Sequence, residues 1–566
     1  MKVIKNAVVN SKIHLPAKKI DTSKLRKHYL IHLFNETMCA RCPVLPVRFA
    51  PECETCPGYK GNMQLYNEKT VNDVDYFSLP PCNLSRLEDV LDIKLKDIDD
   101  RRPIHKLPYK LKFTGKLFTG GIEDGRQTVD QEAIVQKWLK TKEGIISAAP
   151  RSGKTILSIA IVCKLNVKTI IIADKIDLLK QFYRAFMGDP RKGRLPMTNV
   201  PDLQTKKRPI IGIVEKVEDI KKYDICLVNY QKFIKKETAD KRINKYLKGQ
   251  YTLLVCDEIH GAAAPAFSKF VSRLDCKYRL GLSATVFRKD GRSQLLPSFL
   301  GPIVARAAAQ AFTPKISIVE TGVYSKYPYK NWVYAMKFLA KHEERTELII
   351  RQIFKDYKTG HKSIIIPVDF KTHAFELQRR INKEAIDRGL KENFAQVFHQ
   401  GCNREKILHD ADRGKIPVLI GIRSMIRQGL DLSVPSMIYI IVPMSAIAGV
   451  GAPLFYQMSM RVASWLKDKK PPEIRIFVDG ITFSTGCFRS LWTREIFPSL
   501  KSETPKYAAD EYEMKRAWQI VSDRNYKPIN PVGVYKSSKK LLEEQGTHVQ
   551  LFDNKGKVAT LKKRRF

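Results

Sequence analysis

Three clusters of residues in this chain have types and spacings that can do chemistry. The first is Ile145-Ile146-Ser147 running into Ala148-Ala149-Pro150-Arg151-Ser152-Gly153-Lys154-Thr155, followed by an apolar run over 156–162. A strand, a glycine-bearing turn and a helix in that order form a phosphate loop, here with alanine in place of the first glycine. Backbone N–H groups at Ala149, Arg151, Ser152 and Gly153 would cradle phosphates. Lys154 would reach the β- and γ-phosphates, and Thr155 would ligate Mg²⁺. The second cluster is Leu253-Leu254-Val255-Cys256-Asp257-Glu258-Ile259-His260. A buried strand here delivers two carboxylates to the C-terminal edge of a sheet, where α/β sheets bind ligands. Asp257 would hold Mg²⁺, directly or through water, and Glu258 would orient and deprotonate an attacking water. The third is Cys39-Ala40-Arg41-Cys42 and Cys53-Glu54-Thr55-Cys56, two C-x2-C pairs with ten residues between them. Two such knuckles can present four thiolates to one tetrahedral Zn²⁺. A metal would supply order that this proline-punctuated segment cannot draw from its own core. Unligated thiols or a redox pair are the alternatives, and Arg41, Arg48 and Lys60 stand nearby as phosphate contacts.

Elements must position these groups. Short apolar runs at Thr169–Ala173, 210–214, 225–228 and Leu253–Cys256 alternate with amphipathic stretches from 126 to 310, which predicts a parallel α/β sheet. A second series follows at 363–368, Ala395–Phe398, 418–421, 437–442 and 474–478, with a helix around 375–381. The division predicted is a Cys-containing accessory domain over 1–120, an α/β domain over 121–310, a second over 311–485 and a basic extension over 486–566, with the join between the two sheets inside 302–329.

The chain has 566 residues with 100 Lys and Arg against 58 Asp and Glu, a formal charge of +42. An excess of that size points to a polyanionic partner, nucleic acid first. A hydrophobic fraction of 43% excludes a disordered chain. The eleven cysteines, several within apolar runs, fit a reducing intracellular compartment. No apolar secretory leader is visible. The uncharged stretch between Asp431 and Arg461 carries Pro435, Pro443 and Pro453 with Gly449 and Gly451, which reads as a strand and loop rather than a membrane span. A soluble, intracellular protein is expected.

The ordered motifs resemble superfamily 2 helicases. Asp257-Glu258-Ile259-His260 is similar to that family's DExH box. Thr169–Ala173 through Gln181 resembles motif Ia, and 224–231 the strand and turn that contact nucleic acid. Gly281-Leu282-Ser283-Ala284-Thr285 is similar to motif III, 363–368 with its following helix to motif IV, Gly421 through Gly429-Leu430-Asp431 to motif V, and Gln457-Met458-Ser459-Met460-Arg461 to motif VI. Arg288-Lys289-Asp290 after motif III is similar to XPB-type and phage UvsW-type DNA helicases, which favours DNA over RNA and suggests a viral or phage protein.

The resemblance implies two RecA-like domains with ATP between them. Lobe one would supply Gln131, Lys154, Thr155, Asp257 and Glu258. Lobe two would supply Gly429, Asp431 and Arg461, the last as the finger on the γ-phosphate. His260, Ser283, Ala284, Thr285 and Gln457 would couple hydrolysis to nucleic-acid binding. Tyr230, Gln231, Arg288, Ser424 and Arg427 are the candidate nucleic-acid contacts. Three positions depart from the family. Val129 and Asp130 before Gln131 lack the usual aromatic. Met460 and Ser464 replace a glycine and a second arginine of motif VI. Arg423 stands where many relatives carry a hydroxyl residue. The implied activity is ATP-driven DNA unwinding or translocation in recombination, repair, replication or transcription, with protein partners from those processes. An RNA helicase, a motor subunit of a restriction-type assembly, and an ATP-gated nucleic-acid binder with little unwinding are the rival readings.

Overall fold

The structure is a computed structural model of the whole chain. It describes all residues except 1, 5–6, 36–37, 39–49, 83, 97, 124–125, 150–151, 191–192, 206–207, 235–244, 260–264, 284–291, 293–294, 308–311, 326–331, 428–431, 447–450, 465, 467–468, 504, 524–525, 527–531, 536–550, 553–557 and 560–566.

Apolar runs without polar alternation belong in parallel sheets covered on both faces. Lobe one is such a sheet. Its seven strands are β1 (Glu143–Ala148), β2 (Thr169–Ala173), β3 (Ile211–Ile213), β4 (Ile225–Asn229), β5 (Leu253–Cys256), β6 (Tyr278–Ser283) and β7 (Ile303–Ala307). They lie side by side in the order β3-β4-β2-β5-β6-β1-β7, all parallel. Helices α1 (Gln131–Thr141), α2 (Lys154–Leu165) and α3 (Ile176–Met187) pack against it. Residues 157–163 of α2 are buried on every side, because the helix is sandwiched rather than surface-laid.

Lobe two repeats this plan strand for strand. Its seven strands are β8 (Lys315–Ser325), β9 (Ile364–Val368), β10 (Ala395–Phe398), β11 (Val418–Ile422), β12 (Met437–Ile440), β13 (Glu473–Ile481) and β14 (Val532–Tyr535). Their order is β10-β11-β9-β12-β13-β8-β14, the same permutation as in lobe one. The helices that matter below are α4 (Glu343–Lys358), α5 (Lys371–Asp387), α6 (Arg404–Asp412), α7 (Arg423–Arg427) and α8 (Gly451–Ser459). The centre of this lobe holds an ion pair. Arg345 of α4 and Asp479 of β13 are 1% and 0% exposed and meet at 2.7 Å, with Thr321 Oγ1 donating to the same carboxylate at 2.6 Å.

The accessory domain is built on a five-stranded sheet. One face packs Val9, Ile13, Leu15, Phe77 and Leu79 against Leu25 and Leu87. It leans on lobe one through Ile31 against Leu295, Cys82 Sγ on Phe299 O at 3.1 Å, and an Asp100–Lys277 pair at 3.2 Å.

Two boundaries differ from the sequence-based ones, and the join between the sheets lies within 302–329. Leu107 and Leu111 belong to the core of lobe one, and Tyr109 Oη donates to Asp224 at 2.7 Å, so the chain straps lobe one before residue 120. The join is short, since β7 ends at Ala307 and β8 begins at Lys315. Lobe two does not stop at 485. Phe488, Trp492, Ile496, Tyr507 and Ile520 complete its core, and β14 adds its last strand. Among the described residues no helix is long and apolar enough to cross a membrane.

Candidate active site between the lobes

The phosphate loop follows β1. Ala149 N–H is tied to Ala307 O of β7 at 2.9 Å, which fixes where the loop departs. Gly153 has φ +84°, and a Cβ there would stand 2.4 Å from Gln131 Nε2, so glycine is required twice over. Gln131 is fully buried behind the loop. Its Nε2 donates to Ser152 O at 3.0 Å and its Oε1 accepts Phe118 N–H at 3.2 Å. What Gln131 touches is therefore the loop itself, which it braces from behind. Ser152 Oγ is buried and meets no hydrogen-bond partner among the described residues, as suits a loop shaped for an anion. Pro150 and Arg151 lie outside the described residues.

The two carboxylates stand at the end of β5. Asp257 is buried, with its N–H on Ile172 O at 3.1 Å and its Oδ1 accepting Glu258 N–H at 2.9 Å. Glu258 has φ +52°, a left-handed conformation that costs a non-glycine residue about 1–2 kcal/mol. That turn brings Glu258 Oε1 onto the Lys154 ammonium in a close ion pair. Burial works against the lysine's charge. The Glu258 and Asp257 carboxylates outweigh it and hold the Lys154 pKa above the ordinary lysine value, while Arg461 pulls the other way. Ser283 is buried at the end of β6 opposite Ser147 of β1, so it lies beside the loop's entry. His260, Ala284 and Thr285 lie outside the described residues.

Lobe two faces these groups across a cleft of ≈ 800 Å³. Lys154, Thr155, Asp257 and Glu258 line one wall, and Gln457, Met460 and Arg461 line the other. Thr155 and Asp257 both stand on the lobe-one wall of this cleft. Gly429 and Asp431 lie outside the described residues. Arg423 does not enter the cleft lining. Its guanidinium grips both oxygens of Asp369, at 2.9 and 3.0 Å, and joins the end of β9 to the start of α7. Ser464 also turns away, into the backbone of 432–433.

A set of contacts unforeseen in the sequence closes the cleft's far end. Asp177, Lys180 and Arg184 line α3 at helical spacing, and α6 answers them. Arg404 meets Asp177 at 3.4 Å, and Glu405 meets both Lys180 and Arg184 at 3.3 Å. The i, i+3, i+7 charge pattern on α3 was visible, but its partners are distant in sequence.

The nucleic-acid candidates divide. Tyr230 is a correction: its ring is buried against Phe267, 4.9 Å away and edge-on, and it closes the core beneath β4 instead of reaching a strand. Gln231 is exposed beyond β4, its N–H on Asn229 Oδ1 at 3.0 Å. Ser424 is exposed and lines the cleft. Arg288, and the side chain of Arg427, lie outside the described residues.

Of the four cysteines, Cys39 and Cys42 lie outside the described residues. Cys53 and Cys56 flank the end of a short helix, Pro51–Glu54, and Gly58 N–H donates to Cys56 Sγ at 3.4 Å. Both thiols are free of disulfides. Among the described residues no group of three or more metal-ligating side chains is assembled.

With the site in view, the likenesses to known proteins can be placed on it. Residues 126–288 match the family described as "Type III restriction enzyme, res subunit", which takes in the phosphate loop and the Asp257-Glu258 pair. The DNA 3'-5' translocase XPB2 of Sulfurisphaera tokodaii is 31% identical over 195 residues, covering 34% of this chain and 39% of that protein. A probable helicase, D10, of Escherichia phage T5 is 25% identical over 298 residues, covering 51% of this chain and 58% of that protein. The chain therefore spans about half the length of these relatives or less. The Mycobacterium smegmatis helicase Lhr, solved with ssDNA and AMP-PNP, overlays with a TM-score of 0.45 at 15% identity, over 70% of this chain and 51% of that one, too loosely to add to the strand order. The family match falls on lobe one, over the loop and the carboxylates, and the strand order of that lobe recurs in lobe two. Over part of its length the chain is similar to XPB-type DNA translocases and to viral and phage helicases.

Proposed function

We propose that the chain is an ATP-driven DNA helicase or duplex translocase that remodels duplex or branched DNA in recombination, repair, replication or transcription. One observation carries this reading. Lys154 and Glu258 of lobe one share a cleft with Arg461 of lobe two, so a nucleotide held there must bind both lobes. Lys154 would hold the terminal phosphates, Glu258 would take the proton of the attacking water, and Arg461 would meet charge that develops on the γ-phosphate. Binding then favours the closed arrangement of the lobes and hydrolysis releases it, which makes steps along a strand. DNA is preferred over RNA on the likeness to a protein described as a DNA translocase.

The test is steady-state ATP hydrolysis by the full chain, with Lys154→Ala as the blank. The additions are single-stranded, duplex and branched DNA and RNA at matched phosphate. Stimulation that is greatest with duplex or branched DNA is the expected result. Stimulation by RNA alone overturns the DNA assignment, and no stimulation by any polymer favours an ATP-gated binder.

The accessory domain adds to the nucleic-acid reading. The face of its five-stranded sheet turned away from the core carries Lys12 and His14, with Lys69 and Arg101 beside them. Burial, then the neighbouring Lys69, pushes the Lys12 pKa down, and His14 is pushed down by burial and by Lys12, Lys69 and Arg101. Cations that crowd one another in this way are relieved by a phosphate. The Lys12→Glu, Lys69→Glu double variant is expected to weaken duplex binding and to make the plot of log affinity against log salt shallower by about 2. Fluorescence anisotropy across a salt series reads both. An unchanged slope would take these lysines out of the interface.

For the four cysteines we propose a structural Zn²⁺ held by Cys39, Cys42, Cys53 and Cys56. The Gly58 N–H on Cys56 Sγ is the kind of contact that stabilises a thiolate ligand. Metal analysis of the folded chain should return about one zinc per chain. A folded, metal-free chain would refute the site.

A further inference from the structure

Ser464 stands where the family's motif VI carries a second arginine, and the structure gives that position a different use. Its hydroxyl is buried and points at backbone, 2.9 Å from Ser433 O and 3.3 Å from Leu432 O. The Lys469 ammonium closes the same turn. It lies 2.7 Å from Val462 O, 2.9 Å from Ser464 O, 3.1 Å from Ser433 O and 3.1 Å from Ser464 Oγ. An ammonium has three donors, and here four oxygens from two separate segments converge on it.

The two segments matter. Val462 is the residue after Arg461, so one end of the clamp is the Val462–Ala463 peptide group, one residue beyond the arginine. The other end, Ser433, is itself held, its N–H on Asp412 Oδ1 at 2.6 Å. Asp412 is the last residue of α6, whose first residues carry Arg404 and Glu405 against α3 of lobe one. The backbone one residue beyond Arg461 is thus referenced to the same helix that touches the opposite lobe.

A lone arginine has more to lose from poor placement than a pair. Two arginines can share the γ-phosphate, and an error in one is partly covered by the other. With serine at 464, the charge delivered to the phosphate from motif VI depends on Arg461 alone. An error of about 1 Å in a catalytic group can cost about a hundredfold in rate.

We propose that Lys469, working through Ser464 and the 432–433 backbone, is a positioning residue for Arg461 and replaces by rigidity what the missing second arginine supplied by charge. This rests on the reading of Arg461 as the group that meets the γ-phosphate.

A double-mutant cycle on kcat, in the full chain with saturating DNA, tests it. Arg461→Ala alone should lower kcat about a thousandfold. Lys469→Met should lower kcat between about tenfold and a hundredfold, with KM for ATP within about threefold of the parent. Lys469→Arg, which keeps donors at that place, should recover most of the loss. In the Arg461→Ala background Lys469→Met should cost no more than about twofold further, because the group it positions is gone. An equal loss of kcat in both backgrounds, or no loss in the parent, overturns the proposal. No loss on Arg461→Ala overturns the underlying reading instead, so the two failures are distinct. Ser464→Ala, a milder change that leaves the ammonium's backbone contacts in place, should lower kcat about threefold with the same coupling to Arg461. It keeps the test decisive if Lys469→Met does not fold.

Discussion

Glu258→Gln should hold ATP and hydrolyse it about a thousandfold more slowly than the parent chain, because the amide cannot take the proton of the attacking water. The structure adds a second expectation. The Lys154 ammonium is engaged by the Glu258 carboxylate. ATP must draw the ammonium away, and doing so leaves the carboxylate free to act as a base. In Glu258→Gln the lysine has lost its anionic competitor, so ATP should bind several-fold more tightly even as turnover stops. Lys154→Ala should lose both binding and turnover. Equilibrium ATP binding and single-turnover hydrolysis on the same samples separate these effects. Normal hydrolysis by Glu258→Gln would remove Glu258 from the role of base.

Why this site was readable from sequence, and other parts were not, follows from where the information sits. The phosphate loop and the Asp257-Glu258 pair are local patterns, each a strand end whose next residues do the work. Apolar runs such as Thr169–Ala173 named their strands for the same reason. The brace behind the loop was not readable, because Gln131 and Phe118 act through contacts with backbone that no spacing encodes. Tyr230 was misread for a related reason. A tyrosine after a strand suits a solvent loop as well as it suits the core, and only Phe267, folded in from another helix, decides between them. The role of Arg423, a departure from motif V, was not readable because its partner Asp369 is distant in sequence. The end of lobe two was placed too early, because the later core residues, Trp492 and Tyr507 among them, are spread through a stretch with a basic overall composition.

Arg345→Met should be the most destabilising single change in lobe two. The arginine Nε meets Asp479 Oδ1 at 2.7 Å and Nη2 meets Oδ2 at 3.2 Å, with Nη2 also on Ile441 O. Removing the guanidinium strands a carboxylate in a site that is 0% exposed. The loss of one partner from a buried pair costs about 3–5 kcal/mol. For a unit of this size that lowers the midpoint of lobe two's thermal transition by roughly 10 °C. Arg345→Met with Asp479→Leu should recover much of the loss, since an apolar pair of similar volume leaves no uncompensated charge. Differential scanning calorimetry on the full chain reads the shift. A midpoint within about 2 °C of the parent in Arg345→Met would show that the carboxylate finds other relief.

The last strand of lobe two has a consequence for how the protein is made. β14 lies against the outer edge of β8, with Val532 opposite Val323 and Tyr535 opposite Ser325. Lobe one is complete once β7 has left the ribosome. Residues 508–516 cover the start of β8, with Ala508 O on Ile316 N–H and Glu513 and Arg516 on Ile318, but its end at 323–325 waits for residues further downstream, with N–H and C=O groups ready to pair with any passing strand. Contacts this distant in sequence also close slowly. Nascent chains paused before residue 532 would therefore be the population in which self-association starts, and the interval over which a chaperone would protect this protein is set by the synthesis of its final edge.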